Sequence, residues 1–425
     1  MLNHDAIDGS SDRRHVWWLL AFFLLSLSLS LIVIQIGAKP PAGDELDYHR
    51  LAVNLLKGEG FAVEPGHPTT FRPPLYPAFL ALHYALFGDR YAVAWYGQAV
   101  LNAAMPVLVY LLGRRFFSES ASLWGAGLYA VHPSFEMAAQ LHRENLQTPL
   151  FVGCLYVLVV GIQERRAGWF WGAGLLAGAL TLTNSAFFYL PAGFLCLGVI
   201  DRRMHPHVGR LLGLFLVALV LWAPWQVRTH LLPGGDKEIA EFQHRAVMFG
   251  HYPLFAGRYW WTISDMRQLE QEREEARAFL RERARIGAEL PWEDRRAKER
   301  LELRDLIIEH PFRYAQFILN RALILTVSPP PGTSTVRERS TALAGTLFVV
   351  NVAFVGTALA FLLRTYRRDV SVWPVVAGIA YCLVVFGLTH SIRRYGYALV
   401  PLWCLFAAGA LSYLRTPMGD ADAAR

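Results

Sequence analysis

The chain has 425 residues, 54% of them hydrophobic, with a formal net charge of +7 and a mean hydropathy of +0.28. A soluble protein of this length would divide into roughly two or three domains, but here the apolar residues gather in runs matched to the thickness of a bilayer core, which excludes an ordinary soluble enzyme. The basic residues sit in short loops, where they set membrane orientation, and this argues against nucleic acid as a partner.

Arg13 and Arg14 precede an apolar run from 16 to 36. It is too long for a signal-peptide core, and no small-x-small site follows, so an uncleaved first membrane helix is expected. An outer loop from 37 to 90 comes next. In it, Leu46–Leu56 places positions 51, 52, 55 and 56 on one helical face and reads as a surface helix ended by Gly58 and Gly60. Pro77–Phe87 is a second apolar stretch, too short to span, and reads as another surface helix. Spanning helices are expected at 93–113, 120–134, 149–162, 168–184, 186–200 and 209–228.

A long loop, 231–340, follows. Its Glu- and Arg-rich middle, Gln268–Leu306, should form two helices broken at Gly287 and Pro291, either as a solvated hairpin over the site or as an acceptor-binding element. Phe312–Val327 is expected to lie on the surface or half inserted, because a full span there would move the Arg364–Arg368 cluster outside. Spans at 341–363, 371–389 and 397–414 complete a bundle of about ten transmembrane helices. The runs lack the alternation of a barrel, so the expected class is an all-α polytopic membrane protein. Three parts are expected: a transmembrane catalytic half at 1–230, an outer helical loop at 231–340 and C-terminal transmembrane helices at 341–425. Arg114/Arg115, Arg165/Arg166, Arg202/Arg203 and Arg364/Arg367/Arg368 fall on the side of Arg13/Arg14. That side is then the cytoplasm, and the long loops face out. The four cysteines, Cys154, Cys196, Cys382 and Cys404, lie in apolar runs and read as packing residues.

The expected spans hold few polar residues, notably Gln98, Asn102, Asn184 and Gln226. Scarce ionisable groups at mid-bilayer argue against a proton-coupled pump. Ionisable residues gather instead at the outer boundary. Asp44, Glu45 and Asp47 should raise one another's pKa, and Asp44 and Glu45 are candidate general bases; the bland alternative is a helix first turn. Arg72, held by Pro73 and Pro74, suits a phosphate or carboxylate. Arg143 and Glu144 open the fourth expected span on the same side, Glu144 as a further acid or a cap and Arg143 as a phosphate contact. Arg393, Arg394 and Tyr395 join the last two spans outside, against the positive-inside bias, and suggest an anion site. Arg228 ends the seventh span in the same way. No His pair has a helical metal-ligand spacing, but a divalent metal on Asp44 with a distant His stays open.

Together, Asp44-Glu45, Tyr48, Gly58-Glu59-Gly60 and Arg72-Pro73-Pro74-Leu75 resemble the GT-C glycosyltransferases, in the branch of the protein O-mannosyltransferases and lipid A aminoarabinose transferases. Glu144 matches that family's second acidic position. Arg394-Tyr395 resembles its Arg-Tyr-Arg motif, with Gly396 in place of the last Arg. The resemblance implies a plasma (inner) membrane enzyme whose site faces the periplasm or exterior. It would move a sugar from a polyprenyl-phosphate donor to a glycan, lipid or protein acceptor, with inversion. Asp44 would be the base, Arg72, Arg143 and Arg393 or Arg394 with Tyr395 would hold the phosphate, and Tyr48 and Tyr76 would contact substrate. The competing readings are a lipid-linked sugar flippase or transporter, which should show broken helices near the midplane, and a non-catalytic membrane scaffold.

Overall fold

The computed structural model describes residues 9–88, 90–256, 266–286, 289–327, 341–389 and 393–415. They form two compact units. The first comprises Met1–Arg228, Val352–Ile379 and Tyr397–Arg425, and the second Thr229–Asn351 and Ala380–Gly396.

The first unit begins with α1 (Gly9–Gly37), polar in its first turns and mostly apolar from Val16 on. Val16, Leu20, Leu24 and Ile32 on it are exposed, as they would be against hydrocarbon. Gly43 turns the chain at φ 55°, a left-handed conformation that glycine adopts without strain. There α2 (Asp44–Leu56) starts. The short strands β1 (Ala62–Glu64) and β2 (His67–Pro68) pair antiparallel in the first loop. Two or three residues are too few for alternation to announce a strand, and local pattern carries no sign of this hairpin. The chain continues as α3 (Leu75–Phe87), α4 (Tyr91–Gly113) and α5 (Glu119–Val131). A 3₁₀ turn, Pro133–Ala139, leads to α6 (Glu144–Glu164). α7 (Ala167–Thr183), α8 (Leu190–Ile200) and α9 (Val208–Leu231) follow.

In the second unit, α10 (Gly235–Phe255), α11 (Met266–Ile286), α12 (Trp292–Glu309) and α13 (Pro311–Val327) fill the long loop. The expected break between α11 and α12 is present; Gly287 itself lies outside the described residues. Buried Arg321 on α13 donates to the carbonyls of Gly250, Gly387 and Thr389 at 2.9–3.1 Å. A charge that deep is tolerable because carbonyl oxygens take up its N–H groups. α14 (Thr341–Arg368), α15 (Trp373–Leu388) and α16 (Val400–Arg415) close the chain.

Six helical stretches among the described residues are long and apolar enough to cross a membrane: Arg14–Gly37, Tyr91–Gly113, Glu144–Glu164, Arg202–Leu231, Val349–Arg368 and Val370–Leu388. The other four expected spans are helical but shorter. The longest, α7 with 17 residues, reaches about 26 Å at 1.5 Å per residue, under the ~30 Å of a bilayer core. Helix contacts in the first unit use small residues. A Cβ at Gly174 on α7 would meet the Leu214 carbonyl of α9 at 2.6 Å. Close backbone approach of this kind is how apolar helices associate where lipid removes the hydrophobic driving force.

Candidate active site

Two acids of the first unit meet at one buried guanidinium. Asp44 and Asp47 stand three apart on α2, so they share a helical face. Arg72 Nη2 donates to Asp44 Oδ1 and Asp47 Oδ2, each at 2.7 Å. The Arg72 side chain is 7% exposed, against 39% for Asp44 and 29% for Asp47. Burial works against the charged guanidinium, yet Tyr48, Asp44 and Asp47 hold its pKa above the ordinary value. A cation therefore stands between two of the three acids. Asp44, Glu45 and Asp47 all lie in the first turn of α2, where the positive end of the helix also suits acids.

Glu45 points elsewhere. Its Oε1 accepts the Leu141 N–H at 2.8 Å and its Oε2 the Ala42 N–H at 3.3 Å, tying the start of α2 to the segment before α6. Glu144 is 2% exposed in the first turn of α6, and its Oε1 lies 3.9 Å from Arg143 Nε. The positive end of the helix suits a carboxylate there. The Arg143 side chain is 14% exposed.

Tyr48 and Tyr76, the expected substrate contacts, are 2% and 0% exposed. Arg72 packs over the Tyr48 ring at 5.0 Å and the Phe71 ring at 5.1 Å. Tyr76 meets Tyr48 edge-on at 4.9 Å. Burial, then the charges of Tyr48, Tyr84, Glu144 and Glu45, push the Tyr76 hydroxyl well above its usual pKa, so it stays protonated. It donates to Gln98 Oε1 at 2.5 Å. Gln98 Nε2 donates onward to the Ala138 and Gln140 carbonyls at 3.1 and 3.0 Å. The floor of the site is thus a polar chain through α3, α4 and the 3₁₀ turn. The sequence showed Gln98 only as a stray polar residue, and its partners are 22 to 42 positions away.

Arg228 donates to the Thr69 and Phe61 carbonyls at 3.0 and 3.4 Å and packs over Trp225 at 4.6 Å, so it braces the hairpin loop. Arg394 and Tyr395 belong to the second unit, where Tyr395 stacks on Phe386 at 4.8 Å. The side chain of Arg393 lies outside the described residues. Gly396 departs from the Arg-Tyr-Arg pattern for a steric reason: a Cβ there would overlap the Leu325 carbonyl oxygen. Among the described residues no group of three or more His, Cys, Asp or Glu could hold a metal ion. Asp44 and Asp47 each give one carboxylate oxygen to Arg72.

Residues 71–227 match the family described as dolichyl-phosphate-mannose-protein mannosyltransferase. That stretch holds Arg72, Tyr76, Arg143 and Glu144, and it starts after Asp44, Glu45 and Asp47. The archaeal oligosaccharyltransferase of Archaeoglobus fulgidus superposes in its apo form with a TM-score of 0.55 at 13% identity, over 96% of this chain and 51% of that one. This chain has the GT-C fold. The complex of the same enzyme, AglB, with an inhibitory peptide and a dolichol-phosphate gives a TM-score of 0.53 at 14% identity, over 96% and 51% of the two chains. The chain spans about half the length of these archaeal structures. ArnT from Cupriavidus metallidurans, bound to undecaprenyl phosphate, superposes with a TM-score of 0.45 at 16% identity, over 94% of this chain and 78% of that one. No curated protein matches the chain. The GT-C fold makes the chain a multi-pass membrane protein.

Proposed function

We propose that this chain is a membrane glycosyltransferase that moves a sugar from a polyprenyl-phosphate donor to an acceptor at the outer face, with inversion. The observation that carries the reading is the Asp44–Arg72–Asp47 cluster, where a half-exposed carboxylate stands beside a buried guanidinium. Acceptor and donor need these two groups. Asp44 accepts the proton of the acceptor hydroxyl or amine as that atom attacks the anomeric carbon. The bond from that carbon to the phosphate oxygen breaks, and its electron pair leaves with the polyprenyl phosphate. A single displacement inverts the anomeric centre. Arg72 and Arg143 stabilise the charge that grows on the departing phosphate, and a preorganised cation needs little rearrangement to do so. Asp47 and Tyr48 hold Arg72 in place, while Glu45 holds α2 against the segment before α6. In this reading the multi-pass chain sits in the plasma (inner) membrane with the cluster facing out.

The test is transfer of labelled sugar from a panel of polyprenyl-phosphate sugars to endogenous acceptors in membranes that carry the full-length protein. Asp44→Asn should lower the rate by about 10²–10⁴-fold, the range for loss of a general base. Asp47→Asn should cost less. Equal rates for wild type and Asp44→Asn would remove Asp44 from the chemistry, and no transfer from any donor would favour the scaffold or transporter readings.

A further inference from the structure

The long loop carries a second concentration of charge that the proposed chemistry does not use. In the second unit, α10, α11 and α12 line a half-open pocket of about 370 Å³, within the size range of small-molecule sites. Five arginines line it: Arg245, Arg277, Arg281, Arg283 and Arg295. One acid, Glu299, shares the lining, and its carboxylate is engaged by His244 Nε2 at 2.5 Å. Three of the arginines have acidic partners outside the lining. Arg283 pairs with Glu302 at 2.6 Å, Arg277 with Glu274 at 2.5 Å and Arg245 with Glu241 at 3.7 Å. Arg281 has no ion pair among the described residues, and Arg295 interacts electrostatically with Glu299. Arg295 packs over the Trp292 ring at 5.4 Å. Trp292 also lines the cavity, and its buried indole N–H has no acceptor among the described residues.

Helices this rich in Glu and Arg can pair their charges along their own surfaces, as Arg277 and Glu274 do. Here three helices bring five arginines to one half-open pocket, where like charges add up to a positive potential. Guanidinium groups suit the planar, two-point geometry of oxyanions, and an unpartnered indole N–H is one more donor. We propose that this cavity is a binding site for a small polyanion of sugar size, one that carries two or more phosphate or carboxylate groups. The site lies within the second unit, and binding there does not depend on the transferase reading.

Glucose 1,6-bisphosphate is a suitable probe, titrated calorimetrically into the full-length protein in phosphatidylcholine nanodiscs, with glucose and inorganic phosphate as controls. The bisphosphate should bind, glucose should not, and added salt should weaken binding. Arg281→Gln and Arg295→Gln should each weaken it about tenfold or more, since each removes a charge-assisted contact. Arg72→Gln should leave the affinity unchanged. The proposal fails if the bisphosphate does not bind, or if the Arg281→Gln/Arg295→Gln double variant binds as wild type does. It fails equally if Arg72→Gln abolishes binding, which would place the anion in the first unit. Inorganic phosphate binding as tightly as the bisphosphate would overturn the sugar-sized, polyanionic part.

Discussion

Gln98→Leu is a sharp test of the floor beneath the site. Gln98 is fully buried, and its amide serves three partners on two other segments. Leucine has similar bulk but no polar atoms, so the change isolates the hydrogen bonds. The Gln140 carbonyl keeps the His142 N–H and the Asn145 amide as donors, so its loss is small. The Tyr76 hydroxyl loses its acceptor and the Ala138 carbonyl its side-chain donor. Each buried polar group left unsatisfied costs about 1–3 kcal/mol, which puts Gln98→Leu at about 2–5 kcal/mol after a small gain from burying an apolar side chain. In a Tyr76→Phe background one orphan is already gone, so the same change should cost about 1–3 kcal/mol less, a coupling that a double-mutant cycle reads directly. The assay is reversible unfolding of purified protein in mixed micelles, titrated with sodium dodecyl sulfate. A Gln98→Leu variant within about 0.5 kcal/mol of wild type, or a cycle with no coupling, would show that the chain of hydrogen bonds from α3 to the 3₁₀ turn does not support the site.

Three further outcomes follow from single groups. Burial pushes the Glu136 carboxyl from 4.5 up to about 7; a raised acid holds its proton more tightly in the folded chain, so its stabilising contribution is full below pH 4.5 and lost as pH rises through about 7. Glu136→Gln should flatten that slope in the same micelle titration, and an unchanged slope would assign it to another group. Burial, with Arg321 nearby, lowers His251 from 6.5 to about 4; a depressed His is charged more readily when unfolded, so stability should fall as pH drops from 6.5 towards 4, and His251→Gln should remove that loss. Gly396→Ala should destabilise by about 1–3 kcal/mol, because the added methyl meets a backbone carbonyl that cannot rotate away. Gly356→Ala, where a Cβ meets nothing within 4 Å, is the control and should be neutral or slightly stabilising.

Much of the architecture follows from the sequence alone, because a bilayer imposes a length and a polarity on every segment that crosses it. The apolar runs located the helices of the first unit, Gly58 and Gly60 marked the end of α2, and the loop chemistry around Pro291 marked the division between α11 and α12. The acids of α2 and the Arg-Pro-Pro turn stood out as polar residues at an apolar boundary. Local pattern could not say which acid faces which cation. Asp44 and Asp47 take Arg72 while Glu45, between them, turns to the Leu141 amide, because successive helical residues point about 100° apart and only packing decides what each direction meets. Tertiary structure likewise buried Tyr48 and Tyr76, joined Gln98 to carbonyls 40 and 42 positions away, and gathered five arginines around one pocket. Segment identity is a matter of nearest-neighbour chemistry and solvent, which a sequence carries in full; partner identity across long loops depends on which folded surfaces meet, and that is fixed only when the helices pack.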